Sequence, residues 1–95
     1  MRWPPFSKPP ASKPPVPARL FTRPGCTLCD DLVELLRAEG LLKRLDLEPV
    51  DVDGDRALKK RYGLRLPVLE IAGREVYEGR PDAGTLRRAV RDALA

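Results

Sequence analysis

The chain holds two cysteines, Cys26 and Cys29, and no histidine. They form the motif Cys26-Thr27-Leu28-Cys29 where an apolar strand-like run, Leu20-Phe21-Thr22, passes through a Pro24-Gly25 turn into a helical pattern. Residues at i and i+3 share one face of a helical turn, with Cα atoms about 5 to 6 Å apart, a separation that a disulfide closes without strain. The same two sulfurs can therefore be a dithiol or a disulfide. A first helical turn leaves backbone N–H groups unpaired and carries about half a positive charge, which favours thiolate over thiol at its start. This chemistry assigns Cys26 as the nucleophile and Cys29 as the thiol that resolves.

Two plainer readings stand beside it. Paired cysteines can be inert core residues, and a single Cys-X-X-Cys can be half of a zinc site. A tetrahedral zinc site takes four ligands, so with no histidine and no third cysteine a metal here would need a second subunit or an outside thiol. No metal ligand set is expected within one chain.

At 95 residues the chain makes one small domain with a modest core. No stretch approaches the run of about 20 apolar residues that a membrane span needs, and the opening residues lack the apolar block of a secretory signal, so a soluble cytoplasmic protein is expected. In a reducing cytosol such a motif is more often catalytic than structural. The formal charge of +4 suggests an acidic partner until it is divided along the chain. Arg2, Lys8, Lys13 and Arg19 carry all of the excess, and residues 20–95 hold 14 basic against 14 acidic side chains. A domain balanced in this way is an ordinary solvated surface, which argues against a nucleic-acid partner.

The elements that must position the cysteines follow an arm. Seven of the 11 prolines fall within residues 1–17, so residues 1–18 read as an extended Pro-rich basic arm outside the core, with the domain proper at 19–95. Within the arm, Pro14-Pro15-Val16-Pro17-Ala18-Arg19 fits a PxxPxR pattern that aromatic grooves bind, and Trp3 and Phe6 are candidate anchors onto a surface. From Leu20 the order is strand, a helix from Cys26 to about Leu42, and a strand Leu47 to Val52 that Pro49 places at an edge. Asp53-Gly54-Asp55 caps a short helix closed by Gly63 in a left-handed conformation. A hairpin of Leu66–Ile71 and Glu75–Glu78 follows, and then a last helix capped by Asp82, with Arg87, Arg88 and Arg91 outside. The pattern βαβαββα, with one parallel crossover and one hairpin, gives an α/β fold: a four-stranded mixed sheet flanked by helices.

Four stretches in this order resemble the thioredoxin superfamily, and within it the small bacterial glutaredoxin-like proteins: Leu20 through Cys29, Val50-Asp51-Val52-Asp53, Tyr62-Gly63-Leu64-Arg65-Leu66-Pro67-Val68, and Gly73 through Gly79. The resemblance covers residues 19–95 and leaves the arm without counterpart. It implies a thioredoxin-like fold, a cis Leu66-Pro67 bond beside the cysteines, and a free backbone edge there for a substrate peptide or glutathione. It also implies that Arg23 meets a substrate carboxylate and that Asp82, in Gly79-Arg80-Pro81-Asp82, holds the amine end of glutathione. The match at that last stretch is partial. The motif interior is Thr-Leu rather than the Pro-Tyr typical of glutaredoxins, and no carboxylate lies in Arg19-Leu20-Phe21-Thr22, where thioredoxins bury one.

The leading expectation is a monomeric thiol-disulfide oxidoreductase acting on protein or glutathione mixed disulfides, with no bound cofactor and glutathione as cosubstrate. Two readings compete with it. One is a thioredoxin-fold binding module using the Leu66-Pro67 edge or the arm, and the other is an iron-sulfur carrier sharing a cluster between subunits through Cys26.

Overall fold

The computed structural model describes residues 14–95. The roles considered for Trp3 and Phe6, and most of the Pro-rich arm, lie outside the described residues. Four strands, β1 (Val16–Thr22), β2 (Leu45–Asp51), β3 (Val68–Ile71) and β4 (Arg74–Glu78), form one sheet in the order β2-β1-β3-β4. Strands β1 and β2 run parallel, whereas β1 and β3, and β3 and β4, are antiparallel. Three helices complete the chain: α1 (Thr27–Ala38), α2 (Arg56–Tyr62) and α3 (Ala83–Leu94). Pro49 lies in the edge strand β2, where a missing N–H breaks no ladder.

Strand β1 starts at Val16, so the end of the expected arm belongs to the sheet. Ala18 is buried, and Pro17 lies one residue beyond the β1–β3 register, where its carbonyl still accepts from the Ala72 N–H at 2.9 Å. The PxxPxR pattern is therefore broken between an exposed Pro14-Pro15 and a strand, and it is not a free polyproline ligand.

Strand alternation sends side chains to two cores. Leu20, Leu69 and Ile71 face α1 and α3, packing with Cys29, Leu32, Leu36, Leu86 and Val90. Phe21 and Val68 face the other way, toward α2, with Val52 and Tyr62. The Phe21 and Tyr62 rings stack with centroids 3.9 Å apart, which ties α2 to the centre of the sheet. Beyond the reach of α2 the same face carries the buried Glu70, which accepts from Arg19 Nε at 2.8 Å. A buried carboxylate needs such a partner.

Three boundaries depart from expectation for local reasons. Helix α1 stops at Ala38 because Gly40, at φ +72, makes a Schellman closure: Gly40 N–H donates to Arg37 O and Leu41 N–H to Leu36 O. The buried Leu41 and Leu36 then supply the apolar contact of that motif. Gly63 is right-handed, at φ −56, so it does not close α2 by a left-handed turn. In the hairpin, Leu69 pairs with Tyr77 but Glu70 with Glu75, so Val76 is an extra residue, a bulge on β4. The hairpin turn takes two positive-φ residues, Ala72 and Gly73, the primed geometry that suits strand twist. Arg87, expected to face solvent, instead donates from Nη1 to Glu39 Oε1 at 3.0 Å, linking α3 to the end of α1.

Candidate active site

The centre of the sheet delivers the cysteines. Strand β1 ends at Thr22, the chain turns at Pro24 and at Gly25 (φ +78), and Cys26 becomes the N-cap of α1. Only glycine takes that backbone conformation without strain. Cys26 and Cys29 are joined as a disulfide with Cα atoms 5.3 Å apart. The Cys26 sulfur also accepts from the Cys29 N–H at 3.2 Å, so one of the orphan donors of the first helical turn points at it. Exposure separates the two sulfurs. Cys26 is half-buried, whereas Cys29 is 2% exposed and packed in the core with Leu20, Leu32 and Leu69.

Cys26 lines an open hollow of about 310 Å³ together with Arg23, Leu28, Gly63, Leu64 and Leu66. The Leu66-Pro67 peptide bond is cis, and Pro67 is anchored by the Gly79 N–H donating to its carbonyl at 2.9 Å. Leu66 stands just before the first β3 rung, and its main chain makes no hydrogen bond among the described residues.

Arg23 is brought to Cys26, but its guanidinium is already engaged. Nη2 lies 3.3 Å from Asp53 Oδ1, and Nε is buried without a hydrogen-bond partner. Gly63 makes room for this: a Cβ there would sit 2.5 Å from Lys59 O and 3.2 Å from Arg23 Nη2. Sequence reasoning missed both roles, since it takes Asp53 and Gly63 for helix punctuation. It also gave no role to Leu64, although that residue lies within the third resembling stretch.

Asp82 is not among the residues lining the Cys26 hollow. Its Oδ2 accepts from the Thr85 N–H at 2.9 Å as the N-cap of α3, and the hydrogen bonds from Thr85 hold its carboxyl below the usual range. Its own N–H donates to the Tyr77 hydroxyl, which in turn donates to Arg80 O, both at 2.8 Å. That bridge fixes the Arg80-Pro81 segment, which lines a second hollow of about 410 Å³ with Leu28, Leu35 and Ala38 of α1. Among the described residues no group of three or more His, Cys, Asp or Glu side chains is placed to share a metal ion, and no helix is long and apolar enough to cross a membrane.

The sequence profile of the Glutaredoxin-like domain (DUF836) matches residues 18–91. The chain belongs to this glutaredoxin-like family. Among solved structures, a structural-genomics target protein from X. campestris is 37% identical, with 79% of this chain and 96% of that chain covered and a TM-score of 0.68. Protein Ne2328 from Nitrosomonas europaea is 25% identical over 81% of this chain and 93% of its own, with a TM-score of 0.66. A point-mutant thioredoxin from Halobacterium salinarum is 25% identical over 86% of this chain and 77% of its own, with a TM-score of 0.57. No curated protein matches the chain. The glutaredoxin-like assignment accounts for the mixed sheet with flanking helices and for the cysteine pair at disulfide distance.

Proposed function

We propose that the protein is a thiol-disulfide oxidoreductase in which Cys26 attacks and Cys29 resolves. The observation that carries the reading is the asymmetry of the pair: one sulfur at the mouth of a hollow on a helix N-cap, its partner one turn away in the core. In the reduced protein the Cys26 thiolate attacks one sulfur of a substrate disulfide, a mixed disulfide forms, and the released thiolate takes a proton from solvent. The Cys29 thiolate then attacks the Cys26 sulfur, expelling the second substrate thiolate. The substrate gains two electrons and the protein is left as the Cys26–Cys29 disulfide.

Several neighbours support this. The N–H of Cys29 already points at the Cys26 sulfur and would stabilise negative charge there. The unpaired main chain of Leu66, beside Pro67, is a free edge on which an extended substrate can pair. Arg23 gives the hollow a cation for a substrate carboxylate, and glutathione or a disulfide-containing protein is the partner this chemistry serves.

The test is paired substitution. Cys26→Ser removes reduction of any disulfide, and Cys29→Ser accumulates a covalent adduct on Cys26 that mass spectrometry detects. Full activity in Cys26→Ser would sink the reading.

A further inference from the structure

Leu64 is the large apolar side chain left fully exposed among the described residues, at 103% of its reference area. A solitary exposed leucine is ordinary on its own. Its mounting is what sets this one apart. On one side Tyr62 is buried against Phe21. On the other, Arg65 N–H closes onto Tyr62 O, and the Arg65 side chain is clamped to Glu75, to Glu78 and to Arg61 O. Leu64 is thus held out between two anchored residues, and its exposure is built into the turn.

It is held out over the chemistry. Leu64 and Leu66 line the hollow that contains Cys26, and Leu28, which also lines that hollow, continues into the neighbouring one formed with Leu35 and Pro81. Apolar side chains therefore adjoin Cys26 at Leu64 and Leu66 and again at Leu28, Leu35 and Pro81, the second hollow also holding Asp31, Glu34 and Arg80. Within the Cys26 hollow itself, next to the reacting sulfur, the charged partners for a small ligand are few. Each half of oxidised glutathione carries two carboxylates and an ammonium, yet the Cys26 hollow offers one cation, Arg23, already paired with Asp53, and no carboxylate lines it.

Taking the thiol-disulfide reading as its basis, we infer that the substrate is an extended protein segment whose disulfide cysteine is flanked by apolar residues, and that Leu64 is the residue that selects it. Burying a leucine against Leu64 on binding gives the discrimination, because contacts of this size separate substrates by about tenfold. The chemistry at Cys26 is unchanged. Only the group attached to the attacked sulfur is specified.

The experiment follows single-turnover oxidation of the pre-reduced full chain by three probes, quenched with acid and resolved by mass spectrometry. One probe is oxidised glutathione. The others are symmetrical disulfides of heptapeptides with a central cysteine, one carrying leucine two positions to either side of it and the other serine. The leucine peptide is expected to react about tenfold faster than either other probe, and Leu64→Asp to reduce the leucine-to-serine ratio to about twofold or less, with Leu64→Met restoring it. Because Leu64 is fully solvated, these variants keep the fold, which circular dichroism checks. Equal rates on all three probes, or a ratio that survives Leu64→Asp, overturns the inference while leaving the exchange chemistry standing. Absence of reaction with every probe overturns the exchange reading itself.

Discussion

Arg23 and Asp53 form an ion pair, Nη2 to Oδ1 at 3.3 Å, at the wall of the hollow that contains Cys26. The pair joins the turn before the cysteines to the 3-10 turn before α2 (Val52–Gly54), and it determines how much positive charge the site presents. Asp53→Asn releases the cation toward Cys26. A partly exposed pair of this kind contributes under about 1 kcal/mol to folding, so the thermal midpoint should move little. Iodoacetamide alkylation of reduced Cys26 at neutral pH should speed up by about twofold to fivefold, because a nearby cation favours the thiolate. A slower reaction would mean that Asp53 positions Arg23 instead of restraining it.

Gly63→Ala should destabilise the protein although the backbone there is right-handed. At an unobstructed right-handed site alanine adds up to about 1 kcal/mol, through the unfolded state. Here the new Cβ would lie 2.5 Å from Lys59 O and close on Arg23, so α2 or the Arg23 side chain must shift. Urea denaturation should show a loss of about 1 to 3 kcal/mol, the usual range for a steric conflict. A gain would show that the turn relaxes freely.

The Tyr77 hydroxyl bridges Arg80 O and the Asp82 N–H. Tyr77→Phe leaves both groups to water, at a cost of about 1 kcal/mol. The local reporter is sharper than the global one. Hydrogen exchange at the Asp82 amide should accelerate, while amides in β1 and β3 keep their protection.

Stability should fall in acid. The hydrogen bond from Arg65 and its charge hold the Glu75 carboxyl below its usual range, and the hydrogen bonds from Thr85 do the same for Asp82. A carboxyl whose folded-state pKa is depressed adds stability that is complete above its unfolded value, near pH 4, and is lost as pH falls through the lower folded value. Urea midpoints should hold from about pH 7 to 5 and drop below about pH 4. Arg65→Met should flatten that acid limb, since the Glu75 carboxyl would titrate nearer its ordinary value.

Much of this is legible before any coordinates, for identifiable reasons. Cys26 and Cys29 announce themselves because helical spacing and residue type alone make a closable pair, and Pro49 because a missing N–H restricts where it can sit. The four-stranded mixed sheet follows from one crossover and one hairpin. What cannot be read depends on residues meeting from far apart. The resemblance leaves Arg23 awaiting a substrate, but its partner Asp53 arrives from the turn just after β2, which the parallel pairing sets beside the end of β1. Asp82 is legible as the cap of α3, but its position outside the lining of the Cys26 hollow is not. Gly63 looks like a left-handed helix terminator because glycine commonly is one, and only the approach of Lys59 O and Arg23 shows why a side chain is excluded. Leu64 lies within a resembling stretch that assigns it no role, and its exposure is a property of the folded surface.

The burial of Cys29 has a consequence for traffic through the site. With that sulfur sealed at 2% exposure, the outer face of the Cys26–Cys29 disulfide is the Cys26 side alone. If the protein turns over by the proposed thiol-disulfide exchange, the donor that recharges it must enter by the same door as the molecule it discharges onto. Donor and acceptor then exclude one another, and steady-state kinetics should take the ping-pong form, with each substrate a competitive inhibitor against the other at high concentration.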